Sequence, residues 1–223
     1  LRGGALLISK EVAQYIKQLI PDRDEQIKEM ERYAQTYDIP IMETTGIEVM
    51  LQLLKIARPK RILEIGTAIG YSAIRMAKAL PDAEIVTIER DKERYERALF
   101  YIKKTGTSGQ IRVIFGDALH VYSDVAEAAP FDVLFIDAAK GQYQRFFELY
   151  EPLLAENGLI ITDNVLFKGL VASEEPIENK RLRQLVAKIR RYNEWLANRN
   201  DYETIILPVG DGVAISRKRG EKQ

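Results

Sequence analysis

A chain of 223 residues fits one α/β domain and is long enough to bury a sizeable core. Its 33 Lys+Arg balance 33 Asp+Glu, so net charge gives no drive toward nucleic acid, although a local basic patch is still compatible with it. There is no Cys, which removes disulfides, thiolate zinc sites and a cysteine nucleophile, and the apolar runs fall far short of the roughly 20 residues of a membrane span.

One domain is expected over residues 1–223, with a helical part over 1–58 and a sheet core over 59–223. The opening Leu-Arg-Gly-Gly-Ala-Leu-Leu-Ile is too short and weakly charged to read as a signal peptide, so the expected location is cytoplasmic. Ser9 is placed to cap a helix through about Leu19, ended by Pro21. Leu6, Leu7, Val12, Ile16 and Leu19 give this segment an apolar face, suited either to its own domain or to a second subunit. Asp22 or Asp24 begins a second helix reaching Tyr37, ahead of Pro40. A third is predicted from about Thr45 to Ala57, where Ile47, Met50, Leu51 and Leu54 recur at helical spacing.

From Arg61 strand and helix patterns alternate. Strands are predicted at Arg61–Ile65, Glu84–Glu89, Ile111–Phe115, Val133–Ile136 and Leu159–Thr162. Helices are predicted at Ser72–Leu80, Glu93–Lys104, Gln142–Leu154 and Asn179–Asn198. This rhythm implies a mostly parallel sheet covered on both faces, a Rossmann-like α/β fold. Tyr202–Leu207 and Gly212–Arg217 are separated only by Pro208-Val209-Gly210-Asp211, which suits an antiparallel hairpin.

Chemistry-bearing residues gather at the strand ends. Ile62-Leu63-Glu64-Ile65-Gly66-Thr67-Ala68-Ile69-Gly70-Tyr71-Ser72 reads as a strand, a Gly-containing turn and a helix start. Glu89 closes the next strand, where an acid can accept from both hydroxyls of a ribose. The dinucleotide fingerprint G-x-G-x-x-G is broken at Ala68, so a nucleoside without phosphates, such as S-adenosylmethionine, fits better than a nicotinamide dinucleotide. Glu64 would face the cationic methionine end of that ligand. Asp117 either accepts from an adenine amino group or caps the helix that follows. Asp137 closes a fourth strand, and Asp163 and Asn164 close a fifth. These three hard oxygen ligands suit a divalent metal, with Lys140 one loop away as a candidate base. His120, the single His, is read as structural, and Tyr143, Phe146 and Phe147 as core.

ILEIGTAIGYSAIRMA, IERD, GDA, DVLFIDAAKGQY and GLIITDNVLFKG, in this order from Ile62 to Gly169, resemble the metal-dependent, catechol O-methyltransferase-like class of S-adenosylmethionine methyltransferases. The helical start, including PIMETTGIEVMLQLL, is similar to the small bacterial members, some of which methylate 5-hydroxyuridine at the tRNA wobble position. The resemblance implies a seven-stranded class I methyltransferase sheet with an antiparallel last strand, and a homodimer. It also implies that Met42, Ser72, Glu89, Asp117, Ala118 and Asp137 contact S-adenosylmethionine, and that Asp137, Asp163 and Asn164 hold Mg²⁺. Animal catechol enzymes carry His-Trp between the metal Asp and the catalytic Lys. Here Ala138-Ala139 stand there, which removes an aromatic wall and argues against a catechol, while Lys140 is retained.

Two carboxylates and one amide leave open positions on an octahedral cation, so two adjacent acceptor oxygens can chelate it. A 5-hydroxyuracil offers such a pair, as does a catechol. Lys180, Arg181, Arg183, Lys188, Arg190 and Arg191 on the long helix, with Lys168, Arg217, Lys218 and Arg219, suit either RNA phosphates or plain solvation. The leading reading is an Mg²⁺-dependent O-methyltransferase acting on tRNA 5-hydroxyuridine. The competing readings are a methyltransferase of small phenols or catechols, and a non-catalytic adenosyl-nucleoside or RNA-binding module.

Overall fold

The computed structural model describes residues 10–219. Ser9, Leu6 and Leu7, from which a helix cap and apolar contacts are expected, lie outside the described residues. Helix α1 (Lys10–Leu19) exposes Tyr15, Ile16 and Leu19. Asp24, not Asp22, caps α2 (Glu25–Thr36): its carboxylate accepts from the Ile27 N–H at 3.0 Å. Helix α3 (Thr44–Ala57) buries Ile47, Met50, Leu51 and Leu54, as the spacing predicts.

The alternating part follows as β1 (Arg61–Ile65), α4 (Tyr71–Ala79), β2 (Glu84–Glu89), α5 (Lys92–Lys104), β3 (Ile111–Phe115), α6 (Tyr122–Ala126), β4 (Phe131–Ile136), α7 (Tyr143–Tyr150), β5 (Leu154–Thr162), α8 (Lys180–Ala197), β6 (Tyr202–Leu207) and β7 (Val213–Lys218). Three expectations change in detail. The predicted helix Gln142–Leu154 is shorter, because 3₁₀ turns occupy Lys140–Gln142 and Glu151–Leu153, the latter with Pro152 in its first turn. Strand β5 starts five residues early, at Leu154, and pairs across a register shift between Phe131 and Val133. The five-residue α6 has no counterpart in the sequence reading.

The seven strands lie in the order β3-β2-β1-β4-β5-β7-β6, with β7 antiparallel to both its neighbours. Side chains alternate across the sheet, so each face carries its own core. Ile62, Ile85, Val133 and Phe135 pack with α2, α3, α4 and α5. Leu63, Ile65, Val86, Leu134 and Ile136 pack with α6, α7 and α8. Tyr143, Phe146 and Phe147 belong to the second core, as expected. The chain reverses its winding between β1 and β4. In such sheets ligands bind at that switch point, outside the strand carboxyl ends.

The turn after β1 closes against the end of β4. Gly66 has φ +106°, and a Cβ there would stand 2.0 Å from the Asp137 carbonyl oxygen. The Asp137 N–H in turn donates to the Ile65 carbonyl at 3.0 Å. Gly66 therefore lets two strand ends touch. Gly66→Ala should cost more than about 2 kcal/mol in urea unfolding, from strained backbone plus overlap with main chain. A loss below about 0.5 kcal/mol would contradict this packing role.

Candidate active site

A cavity of about 440 Å³ opens at the switch point. It is lined at one end by Gly66, Ala68, Glu89, Arg90, Asp117 and Ala118, and at the other by Asp137, Lys140, Asp163, Asn164 and Asp211. Pro40 and Ile41, ahead of α3, and Ala138, Ala139 and Phe146 also line it.

At the first end, Glu89 is 7% exposed, and its two oxygens accept from the Ala68 N–H and the Asp91 N–H, each at 2.8 Å. These bonds fix the carboxylate while leaving lone pairs for hydroxyl donors. Asp117 does not cap the helix that follows: Val121 is the N-cap of α6, with no side-chain hydrogen bond. One Asp117 oxygen accepts from the Leu119 N–H at 2.9 Å, and the other stands 3.7 Å from the Arg90 guanidinium at the cavity wall. The Ala118 carbonyl accepts from the Tyr150 hydroxyl at 2.6 Å, which ties this turn to α7.

Three residues expected at the cofactor stand behind the wall instead of lining it. Met42 is buried in the helical core, with its Cε beside Gly46. The parallel register places Glu64 opposite Thr87, whose hydroxyl donates to it at 2.5 Å. The Ser72 hydroxyl donates to the other Glu64 oxygen. Glu64 is fully buried among these hydroxyls, and no basic side chain pairs with it among the described residues. Burial pushes its carboxyl up to about 7, although the Ser72 and Thr87 hydrogen bonds pull the other way.

At the second end, the β4–β5 register pairs Ile136 with Thr162, so Asp137 and Asp163 leave adjacent strands together. The Asp163 N–H donates to the Ile136 carbonyl at 3.1 Å, continuing the ladder into the loop. Asn164 follows at φ +59°, a left-handed conformation that Asn tolerates. Its amide nitrogen donates to Asp163 Oδ2 at 3.1 Å, and its Oδ1 accepts from Lys140 Nζ. The Tyr143 hydroxyl donates to the Asp163 carbonyl at 2.9 Å. Burial pushes both Asp137 and Asp163 carboxyls up, and for Asp163 the neighbouring Asp137 charge adds to the effect. Lys140 opposes it in both.

These features fit the two groups that the sequence implies. Crowded, buried carboxylates beside an amide oxygen are the hard donor set of Mg²⁺. Among the described residues no group of three or more His, Cys, Asp or Glu side chains converges to hold a metal, so the residues that would hold one here are two carboxylates and the Asn164 amide. Glu89 and Asp117 give the other end an acidic character suited to a cationic nucleoside. His120 is exposed in the turn after β3 and does not line the cavity. Asp211, which the sequence reading did not select, does.

A family model described as O-methyltransferase matches residues 17–219. The chain belongs to the O-methyltransferase family. Similar proteins include a caffeoyl-CoA O-methyltransferase of Populus kitakamiensis, 32% identical over 98% of this chain and 97% of that protein. A flavonoid 3',5'-methyltransferase of Vitis vinifera is 33% identical, over 89% of this chain and 88% of its own. Among solved structures, the O-methyltransferase TomG of Streptomyces achromogenes, in complex with S-adenosylmethionine, superposes with a TM-score of 0.78 at 28% identity, over 94% of this chain and 96% of that one. The Bacillus cereus O-methyltransferase, in complex with S-adenosylhomocysteine, gives 0.78 at 26%, over 94% and 97%. Among the described residues of this O-methyltransferase, no helix is long and apolar enough to cross a membrane.

The buried Glu64 makes this enzyme's stability depend on pH. Unfolded, it titrates near 4.5; folded, near about 7. Between those values the folded state holds the extra proton, so stability falls as pH rises, by roughly 3 kcal/mol. Glu64→Gln should remove that share of the slope, measured by urea unfolding at about pH 5 and about pH 8. Equal pH slopes in the two proteins would contradict the assignment.

Proposed function

We propose that this chain is an S-adenosylmethionine- and Mg²⁺-dependent O-methyltransferase whose acceptor is 5-hydroxyuridine at the tRNA wobble position. The observation that carries the methyltransferase reading is one cavity with two unlike ends: Glu89 and Asp117 at one, Asp137, Asp163, Asn164 and Lys140 at the other. Bound at the first end, S-adenosylmethionine supplies a methyl group activated by its sulfonium. Bound at the second, Mg²⁺ supplies a hard Lewis acid that favours an oxyanion on the acceptor.

The chain's own residues do the rest. Glu89 holds the ribose hydroxyls, and Asp117 with Ala118 bounds the adenine end. Asp137, at the meeting of the two ends, orients both partners, which is where much of the acceleration of a displacement arises. As the neutral amine, Lys140 Nζ would take the proton of the acceptor hydroxyl as the O–CH₃ bond forms and the S–CH₃ bond breaks. Asn164, held by Lys140 and by Asp163, keeps its amide oxygen pointed at the same place.

Surface charge supports the RNA acceptor. Lys168, Lys180, Arg181, Lys188 and Arg191 are exposed and make no ion pair among the described residues. Lys188 reaches the acceptor loop: a Cβ built on Gly141 would stand 3.4 Å from its Nζ. Arg190 is otherwise engaged, donating to the Leu170, Val171 and Ser173 carbonyls, and Arg183 to the Ile177 carbonyl. A second reading, a small phenol with adjacent oxygens, is favoured by the names of the plant relatives.

Labelled S-adenosylmethionine should transfer its methyl group, in an EDTA-sensitive reaction, to tRNA lacking only this modification. Lys140→Ala should lower that turnover by about 10² to 10⁴. Transfer to small catechols with none to the tRNA would remove the RNA acceptor. Unchanged turnover in Lys140→Ala and Asp163→Ala would remove the proposed roles. The same reading includes a homodimer, supported by the exposed Tyr15, Ile16 and Leu19 of α1. Sedimentation should show a dimer that Ile16→Glu weakens; a monomeric wild type would contradict it.

A further inference from the structure

Asp211 lies in the turn between β6 and β7, and its position is fixed by main chain. Its carbonyl accepts from the Leu166 N–H at 2.9 Å and from the Phe167 N–H at 3.1 Å. The next carbonyl, of Gly212, accepts from the Val165 N–H at 3.0 Å. Gly212 has φ +88°, and a Cβ there would stand 2.4 Å from Leu166 Cγ. The Asn193 side chain of α8 donates to the Val165 carbonyl at 2.8 Å from the other side. The turn is thus docked on the loop that begins with Asp163 and Asn164, through bonds that need no Asp211 side chain.

The carboxylate is therefore left over from the turn's construction. It lines the cavity with Asp137, Asp163 and Asn164, and it makes no hydrogen bond or ion pair among the described residues. Among the described residues that line this end of the cavity, Lys140 carries the positive charge, and its ammonium is directed at Asn164. The Asp211 charge is felt there, because it helps to push the Asp163 carboxyl and the Tyr143 phenol up. The fold thus places a third acid on a wall that already crowds two. That arrangement costs stability in the absence of a cation and repays it in the presence of one. Among the described residues Asp211 does not converge with Asp137 and Asp163 into a three-acid metal group.

We propose that Asp211 is a positioning residue for the divalent cation, raising its affinity through charge and through the cation's water shell. This rests on the reading that Asp137, Asp163 and Asn164 hold that cation. Outer-shell partners of metal ligands set affinity without touching the ion.

Mn²⁺ alone, titrated calorimetrically into the cofactor-free protein, provides the test. Asp211→Asn keeps the shape and the main-chain bonds while deleting the charge. It should weaken Mn²⁺ binding by about 10- to 100-fold. Asp211→Glu should recover most of the loss, and the melting temperature of Asp211→Asn in EDTA should equal or exceed that of the wild type. Unchanged Mn²⁺ affinity in Asp211→Asn would overturn the inference. So would weaker binding accompanied by a lower melting temperature in EDTA, since that marks a role in building the turn. The underlying metal reading has its own control: wild type that fails to bind Mn²⁺, or Asp163→Ala that binds it equally well, would overturn both.

Discussion

The parallel register of β4 and β5 brings two carboxylates out of the sheet side by side. Ile136 pairs with Thr162, so the next residues, Asp137 and Asp163, enter one loop region with their charges on the same wall. Two buried acids in that position are an electrostatic burden on the fold. Much of the surrounding structure offsets it or makes use of it. Lys140 opposes the rise in both carboxyls, Asn164 donates to Asp163, and the Tyr143 hydroxyl fixes the Asp163 carbonyl. Gly66 lets β1 close on the same strand end, which joins the Glu89 end of the cavity to the Asp137–Asp163 end.

The cavity's two ends are built by different means. At Glu89 the carboxylate is held by two backbone N–H groups, a rigid arrangement made before any ligand arrives. At Asp163 and Asn164 the loop is held from outside, by the β6–β7 turn, by α7 and by α8. The C-terminal hairpin thus does more than complete the sheet. Its antiparallel return brings the Asp211 turn onto the ligand loop, which a parallel last strand would place at the opposite edge.

Much of this was legible in the sequence. Strand ends rich in acids, in the order Glu64, Glu89, Asp117, Asp137 and Asp163, locate one sheet edge, and alternation of strands with helices gives the parallel sheet. The rest depends on register and packing. Glu64 and Ser72 form a buried pair behind the wall because of the β1–β2 register, and spacing alone does not reveal which face a strand-end acid takes. Met42 packs inward because its side chain fills space left by Gly46. Helix α6 spans only five residues, too few for a periodic signal. Asp211 carries a faint signal: an acid flanked by two glycines at the carboxyl edge, in a turn that could have been read as ordinary hairpin chemistry. Gly212 is required there by Leu166, a contact that joins residues far apart in the chain.

The proposed reaction requires a divalent cation held between β4 and β5, beside a nucleoside at the Glu89 end of the same cavity. Anomalous scattering from crystals grown with Mn²⁺ and S-adenosylhomocysteine tests it most directly. The expected result is one peak bonded to Asp137, Asp163 and Asn164 at oxygen-ligand distances of about 2.1 to 2.2 Å, with the nucleoside ribose on Glu89. S-adenosylhomocysteine bound with no peak at these three residues, or with the metal elsewhere, would contradict it.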